Sequence, residues 1–152
     1  GEKWLYITQL FADNIQPTPP FITQLHKKIG QRNARLNRSF FLSDLARLHL
    51  DDMIRSGQLD YYTKFHGNLY KMVSTALRQR GYNPKKIKVD LCLSKDIDAV
   101  TKSPYFLDNS LTHYGLGVQL APHPDYKGNI FWGVIIFTKL ITNKAAPYGT
   151  KP

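Results

Sequence analysis

The stretch Leu42-Ser43-Asp44-Leu45-Ala46-Arg47-Leu48-His49-Leu50-Asp51-Asp52-Met53-Ile54-Arg55-Ser56-Gly57 decides the fold. Leu42, Leu45, Ala46, His49 and Met53 recur at i, i+3, i+4, i+7 spacing, and Leu48, Leu50 and Ile54 widen the apolar side, which predicts a core helix. Asp44, Arg47, Asp51 and Arg55 follow three or four residues apart with alternating sign, the pattern of a solvated helix face with charge pairs. Gly57 stands where a left-handed cap ends a helix, and Ser43 or Ser39 can cap the start. Asp52 is out of place. It lies three residues after His49 and seven after Leu45, so its carboxylate flanks the buried face and is costly there unless paired.

Outward from this helix, Tyr61 to Gly67 reads as an aromatic-rich loop. Asn68 then caps a second helix whose Leu69, Met72, Val73, Ala76 and Leu77 share one face; Gly81 stops it, and Arg78 and Arg80 suit the helix dipole in its last turn. From Ile87 the period changes to two, with Ile87, Val89, Leu91 and Leu93 alternating with Lys88, Asp90 and Cys92, a half-buried strand. Ser94 is expected to cap a short helix carrying Ile97 and Val100 that ends near Ser103-Pro104. Strands over 115–121 and 130–139 follow, joined by a turn-rich loop with Pro122, His123, Pro124, Asp125, Gly128 and Asn129, and should pair antiparallel.

Upstream, Trp4 to Phe11 is an apolar segment ended by the proline run through Pro20. Phe21, Ile22, Leu25 and Ile29 then repeat at helical spacing up to Gly30, and Arg32 to Arg38 is a basic connection into the central helix. The tail after Thr142 reads as loosely held. The domain expectation is an N-terminal extension over 1–20, one domain over 21–142 and a tail over 143–152. Helices mostly first and a small sheet mostly last is an α+β order, with the helices covering the sheet.

The chain has 152 residues, 42% of them hydrophobic, enough for one core without staples. The lone Cys92 excludes an internal disulfide framework. No apolar run approaches the roughly 20 residues that span a bilayer. With 21 Lys and Arg against 11 Asp and Glu, the net charge of +10 favours acidic or anionic partners. The basic residues form only short clusters, without the aromatic sheet motif of an RNA-binding domain, which argues against nucleic acid. Gly-x-Ser-x-Gly, His-Glu-x-x-His, the P-loop and Gly-x-Gly-x-x-Gly are all missing from the sequence. Gly115-x-Gly117 lies within a strand pattern and marks close backbone approach.

The spacing Leu42-x3-Ala46-x2-His49-x2-Asp52-Met53-x3-Gly57 resembles the second-helix signature of the CAP superfamily, the SCP-like proteins that include cysteine-rich secretory, antigen 5 and pathogenesis-related 1 proteins, in its cysteine-poor bacterial form. Further matches follow in order. Arg80-Gly81-Tyr82 ends a helix, and a strand stands where the family has Gly-Glu-Asn. Ser103-Pro104 comes next. Tyr114-Gly115-Leu116-Gly117-Val118 is similar to the family's Ile-Gly-Val-Gly-Val strand, and Ile130-Phe131-Trp132-Gly133-Val134 to its Tyr-Trp-x-Gln strand. The resemblance covers about residues 21 to 139. It implies a three-layer α-β-α sandwich and a secreted or periplasmic location.

The family's cleft usually holds two histidines and two acidic residues, sometimes with a divalent metal. Carried over by position, one histidine falls at Tyr61 or Tyr62, with His66 a few residues on; the glutamate falls at Asp90, and the second histidine at Phe106. An alternative register uses His113. Aromatics in place of imidazoles remove the nitrogen ligands a transition metal prefers, so no metal site and no cofactor are expected. Tyr61, Tyr62, His66, Asp90 and Phe106 are the candidate walls of an aromatic-lined groove. His49 reads as a core histidine satisfied locally, with Asp52 as a candidate partner, and Asp52 as an acceptor that holds the following loop. Asp90, His49, His66 and His113 remain weak catalytic candidates. His113 and His123 flank one strand as loop histidines without a third metal ligand. Cys92 reads as unreactive. The expected function is a non-catalytic module holding an anionic or amphipathic partner, whether protein, lipid or glycan; the alternatives are a hydrolase with a divergent His/Asp cleft and, below it, a basic nucleic-acid-binding domain.

Overall fold

The structure is a computed structural model that describes residues 20–140. In chain order it runs α1 (Pro20–Arg32), β1 (Asn37–Arg38), α2 (Phe40–Ser56), β2 (Tyr62–Thr63), β3 (Gly67–Asn68), α3 (Leu69–Gln79), β4 (Pro84–Ser94), two 3-10 turns (Ile97–Lys102 and Pro104–Leu107), β5 (His113–Pro122) and β6 (Asn129–Leu140). The main sheet has the order β1-β5-β6-β4. Its long strands pair antiparallel, and β1 pairs parallel with β5.

Register assigns the two faces. Gly115, Ile136 and Val89 stand opposite one another across β5, β6 and β4, and Leu116, Ile135 and Asp90 occupy the next rank. Successive side chains point to opposite faces. The first rank therefore faces α2 and α3, in a core with Leu42, Ala46, Met53, Val73, Leu77, Val89 and Ile136. The second faces α1 and the 3-10 turns, where Leu25, Ile29, Val100, Phe106, Leu116 and Phe137 pack. Two apolar clusters with one sheet between them make a three-layer α-β-α sandwich, an α+β fold.

α2 forms where its pattern dictates. The Ser39 hydroxyl accepts from the Leu42 amide at 3.1 Å, and Gly57, at φ 74°, returns its own N–H to the Met53 carbonyl at 2.8 Å. The helix lies directly on β5. A Cβ on Gly115 would stand 2.3 Å from the Leu42 carbonyl carbon and the Ser43 nitrogen, and one on Gly117 3.0 Å from the Arg47 nitrogen. Ser43, a buried polar residue, accepts from the Leu116 amide at 3.0 Å through its hydroxyl. Asp44 and Arg47 form an ion pair on the outer face.

Several local expectations need correction. Leu48 is 39% exposed, because a helix on a flat sheet buries a narrower arc than its apolar pattern covers. The segment after α2 contains a two-stranded ribbon, β2 with β3, and the basic connection contains β1, both built from two-residue pairings too short for a periodic signal. Asp96, not Ser94, caps the first 3-10 turn; its side chain accepts from the Asp98 amide at 2.9 Å. α1 runs past Gly30 to Arg32, and Phe21, at its start, is 37% exposed. The Trp4 to Phe11 segment and the tail after Thr142 lie outside the described residues.

Gly115→Ala should cost at least about 1–3 kcal/mol by forcing α2 off the sheet. Gly30→Ala, with nothing within 4 Å of the added methyl, should stabilise by about 0.5–1 kcal/mol. Urea unfolding of both variants checks the pair; a Gly115→Ala protein as stable as the parent would mean that the helix does not contact the strand backbone.

Candidate functional site

His49 and Asp52 lie one turn apart on α2, both buried, at 0% and 2% exposure. Each holds the chain that folds back after Gly57. His49 Nε2 lies 2.7 Å from the Asp60 carbonyl oxygen, so Nε2 carries the proton and donates. Nδ1 is then a bare acceptor, buried with no hydrogen-bond partner among the described residues. Burial lowers the His49 pKa, and the Asp60 carbonyl and the Asp52 charge offset this only in part. The partner expected for His49 was Asp52; the backbone of Asp60 takes that place.

Asp52 Oδ2 accepts from the Thr63 hydroxyl at 3.2 Å and from His66 Nδ1. The Thr63 hydroxyl in turn accepts from the His66 amide at 3.2 Å. The carboxylate that would be costly alone is thereby paired, and it ties the β2–β3 ribbon to the helix. His66 keeps 34% of its side chain exposed.

The aromatic candidates divide. Tyr61 stacks on Tyr70 of α3, with ring centres 5.9 Å apart and planes at 29°. The Tyr61 hydroxyl has its pKa raised, first by burial and then by the charges of Tyr70, Asp90 and Tyr105. Tyr105 is half-buried, edge-on to Phe137 at 5.6 Å, with the Lys88 ammonium 6.0 Å from its ring centre. Tyr62 is 59% exposed and lines a different surface. Phe106 does not line a groove. It is fully buried, edge-on to Phe137 at 4.9 Å and to Tyr114 at 5.9 Å. The tight 3-10 turn buries Phe106 fully and leaves Tyr105 half-buried against the same core. Tyr70 and Tyr105 were missed by position-by-position reading; the signal available was a tyrosine beside a purely apolar neighbour, Leu69 or Phe106, since a phenol favours the wetter place.

The sheet keeps Asp90 apart from His49 and His113. His113 shares a rank with Thr138 and Ile87, whereas Asp90 shares one with Ile135 on the other face. His49 belongs to α2, on the face opposite Asp90. His113 is no loop residue: it begins β5, buried, with Nδ1 2.7 Å from the Thr112 hydroxyl. His123 accepts from the Asp125 amide at 3.0 Å and lies against Trp132. The fifth histidine, His26, shares a hydrogen bond of 2.7 Å between its Nδ1 and the Tyr114 hydroxyl. Among the described residues no three His, Cys, Asp or Glu side chains are placed to hold a metal ion. Cys92 is half-buried, and burial and then Asp90 raise its pKa, which suppresses the thiolate.

No family model matches the sequence, and no curated protein sequence matches it. A crystal structure of an extracellular protein containing an SCP domain, from Bacillus anthracis str. Ames, matches the fold with a TM-score of 0.52 at 14% identity, over 82% of this chain and 45% of that one. The fold is SCP-like. This chain spans less than half the length of that protein. A likeness of this kind carries architecture, and function must come from the site. In this SCP-like sandwich the histidine side chains bond to groups other than Asp90. Among the described residues no helix is long and apolar enough to cross a membrane.

Burial holds the His49 pKa below its ordinary value, and burial followed by the Arg38 charge holds that of His26 down to about 4. Depressed histidines bind protons more readily when unfolded, so their contribution is complete above the unfolded pKa of about 6.5 and is lost as pH falls toward the folded value. Urea midpoints should therefore drop between pH 7 and pH 4, and His26→Gln should flatten the drop. Equal slopes in parent and variant would contradict the His26 assignment.

Proposed function

We propose that this chain is a CAP-like binding module, exported and non-catalytic, that holds an anionic or amphipathic partner. The observation that carries the reading is the Tyr61–Tyr70 stack, at the position where the family resemblance would put an imidazole. A phenol whose pKa is raised stays protonated at neutral pH and offers a flat apolar face with a hydrogen-bonding tip. It is no general base. Both rings are partly open to solvent, at 40% and 37%, and Tyr105 extends the surface. Lys88 and Asp90 supply one charge of each sign at its edge, and the net charge of +10 biases the whole molecule toward anions. Protein, lipid and glycan partners all meet that description. Extracellular location of the SCP-domain neighbour supports export.

The test is a binding screen read by NMR shifts, with three probes: phosphatidylglycerol vesicles, an N-acetylglucosamine oligosaccharide and a poly-glutamate peptide. At least one should saturate, and Tyr61→Ala or Tyr70→Ala should weaken it by about 0.5–1.5 kcal/mol, two- to tenfold. Ester, peptide, glycoside and phosphodiester substrates should show no turnover. Hydrolysis abolished by Asp90→Asn would establish the enzyme reading instead. Duplex-DNA binding that falls steeply with salt would favour the nucleic-acid one.

A further inference from the structure

A cavity of about 580 Å³ opens between the last turn of α2 and the β2–β3 ribbon, on a surface separate from the Tyr61–Tyr70 stack. Its volume is that of a small-ligand site. Arg55, Gln58, Asp60, Tyr62, Lys64 and Phe65 stand on its wall. Two cations converge on one ring: the Arg55 guanidinium carbon lies 4.6 Å from the Phe65 ring centre and Lys64 Nζ 5.5 Å. Neither forms an ion pair among the described residues, whose carboxylate contacts go to Lys28, Arg47, His66 and Lys86. The wall's own carboxylate, Asp60, already accepts from the Tyr62 amide at 3.1 Å. The wall thus carries two cations, Arg55 and Lys64, against the one Asp60 carboxylate, and Asp51, one turn back on α2, also acts on Arg55. A guanidinium laid over an aromatic face keeps its planar N–H edge free for an oxyanion.

The wall is also fixed in advance. Asp60 is held through its carbonyl by buried His49, and Thr63 and His66 are held by buried Asp52. Ordering Asp60 to His66 therefore costs a ligand little, which is what a binding wall requires and a mere covering loop does not. Tyr62 and Phe65, 59% and 42% exposed, offer apolar faces beside the cations.

We infer that this cavity is a binding site for a small organic oxyanion, a phosphate or carboxylate group carried on a flat apolar body, with Arg55 and Lys64 on the anion and Tyr62 and Phe65 on the body. The inference does not rest on the function proposed above.

The experiment is an NMR titration of the protein with phenyl phosphate, benzoate, inorganic phosphate and benzyl alcohol. Phenyl phosphate or benzoate should give saturable shifts at the amides of residues 55, 58 and 62–65, and the tighter of the two tells phosphate from carboxylate. Inorganic phosphate and benzyl alcohol, each lacking half of the ligand, should bind about tenfold more weakly or not at all. Arg55→Gln and Lys64→Gln should each weaken binding by about tenfold, the scale of a lost charged hydrogen bond. Both side chains lie at the surface, so unchanged β5–β6 resonances confirm the fold. No saturation by either aromatic anion, binding indifferent to both substitutions, or shifts centred on Tyr70 and Asp90 would overturn the inference.

Discussion

At Gly115 and Gly117, α2 meets β5 backbone to backbone, and the rest of the molecule follows from that contact. Gly115 and Gly117 remove the Cβ atoms that would hold the helix away, and the Ser43 hydroxyl takes the Leu116 amide directly. On the N-terminal side, the Ser39 amide donates to the Tyr114 carbonyl at 2.8 Å, which fixes where the helix begins relative to the strand. A helix seated so closely has its rotation set by sterics, because any turn about its axis drives a larger side chain into the strand backbone. That rotation decides which residues of its C-terminal half point inward. His49 and Asp52 are among them, and the chain after Gly57 is gathered onto these two polar groups.

The sheet then divides the chemistry. On the α2 side, Asp52, Thr63 and His66 form a hydrogen-bonded knot whose members bond to one another, and His49 beside it bonds to the Asp60 carbonyl. On the other face stands Asp90, in the same rank as Ile135. General acid–base catalysis needs an imidazole or carboxylate within hydrogen-bond reach of the same reacting atom. A sheet between His49 and Asp90 denies that pair such a meeting. Recognition requires only surfaces of suitable shape and charge, such as the exposed tyrosines and the Arg55–Phe65–Lys64 arrangement, whose cations form no ion pair among the described residues.

The helices and long strands were legible because their patterns are long and are imposed by burial: the α2 face, the α3 face and the alternation through β4 all match the packing, apart from Leu48. The paired glycines of β5 were legible for the same reason, since a strand needs Gly–x–Gly only where another backbone comes close. What the sequence did not disclose is set by contacts between distant residues. Asp60 rather than Asp52 partners His49 because the returning chain presents a carbonyl there. Phe106 turns inward instead of lining a groove, within a 3-10 turn whose four residues are too few to display a periodicity. The Arg55–Phe65–Lys64 arrangement joins a helix end to a ribbon of two-residue strands, which no local pattern announces.

The central claim is that buried Asp52 holds the 60–66 segment as a local unit on an independently stable sandwich. Amide hydrogen exchange in Asp52→Ala tests it most directly. The account predicts that the His66 amide, bonded to the Thr63 hydroxyl, and the Leu69 amide, bonded to the Tyr61 carbonyl at 2.8 Å, lose protection, while the paired amides of β5 and β6 keep theirs. Unchanged protection at both sites, or an equal loss across the β5–β6 pair, would contradict it.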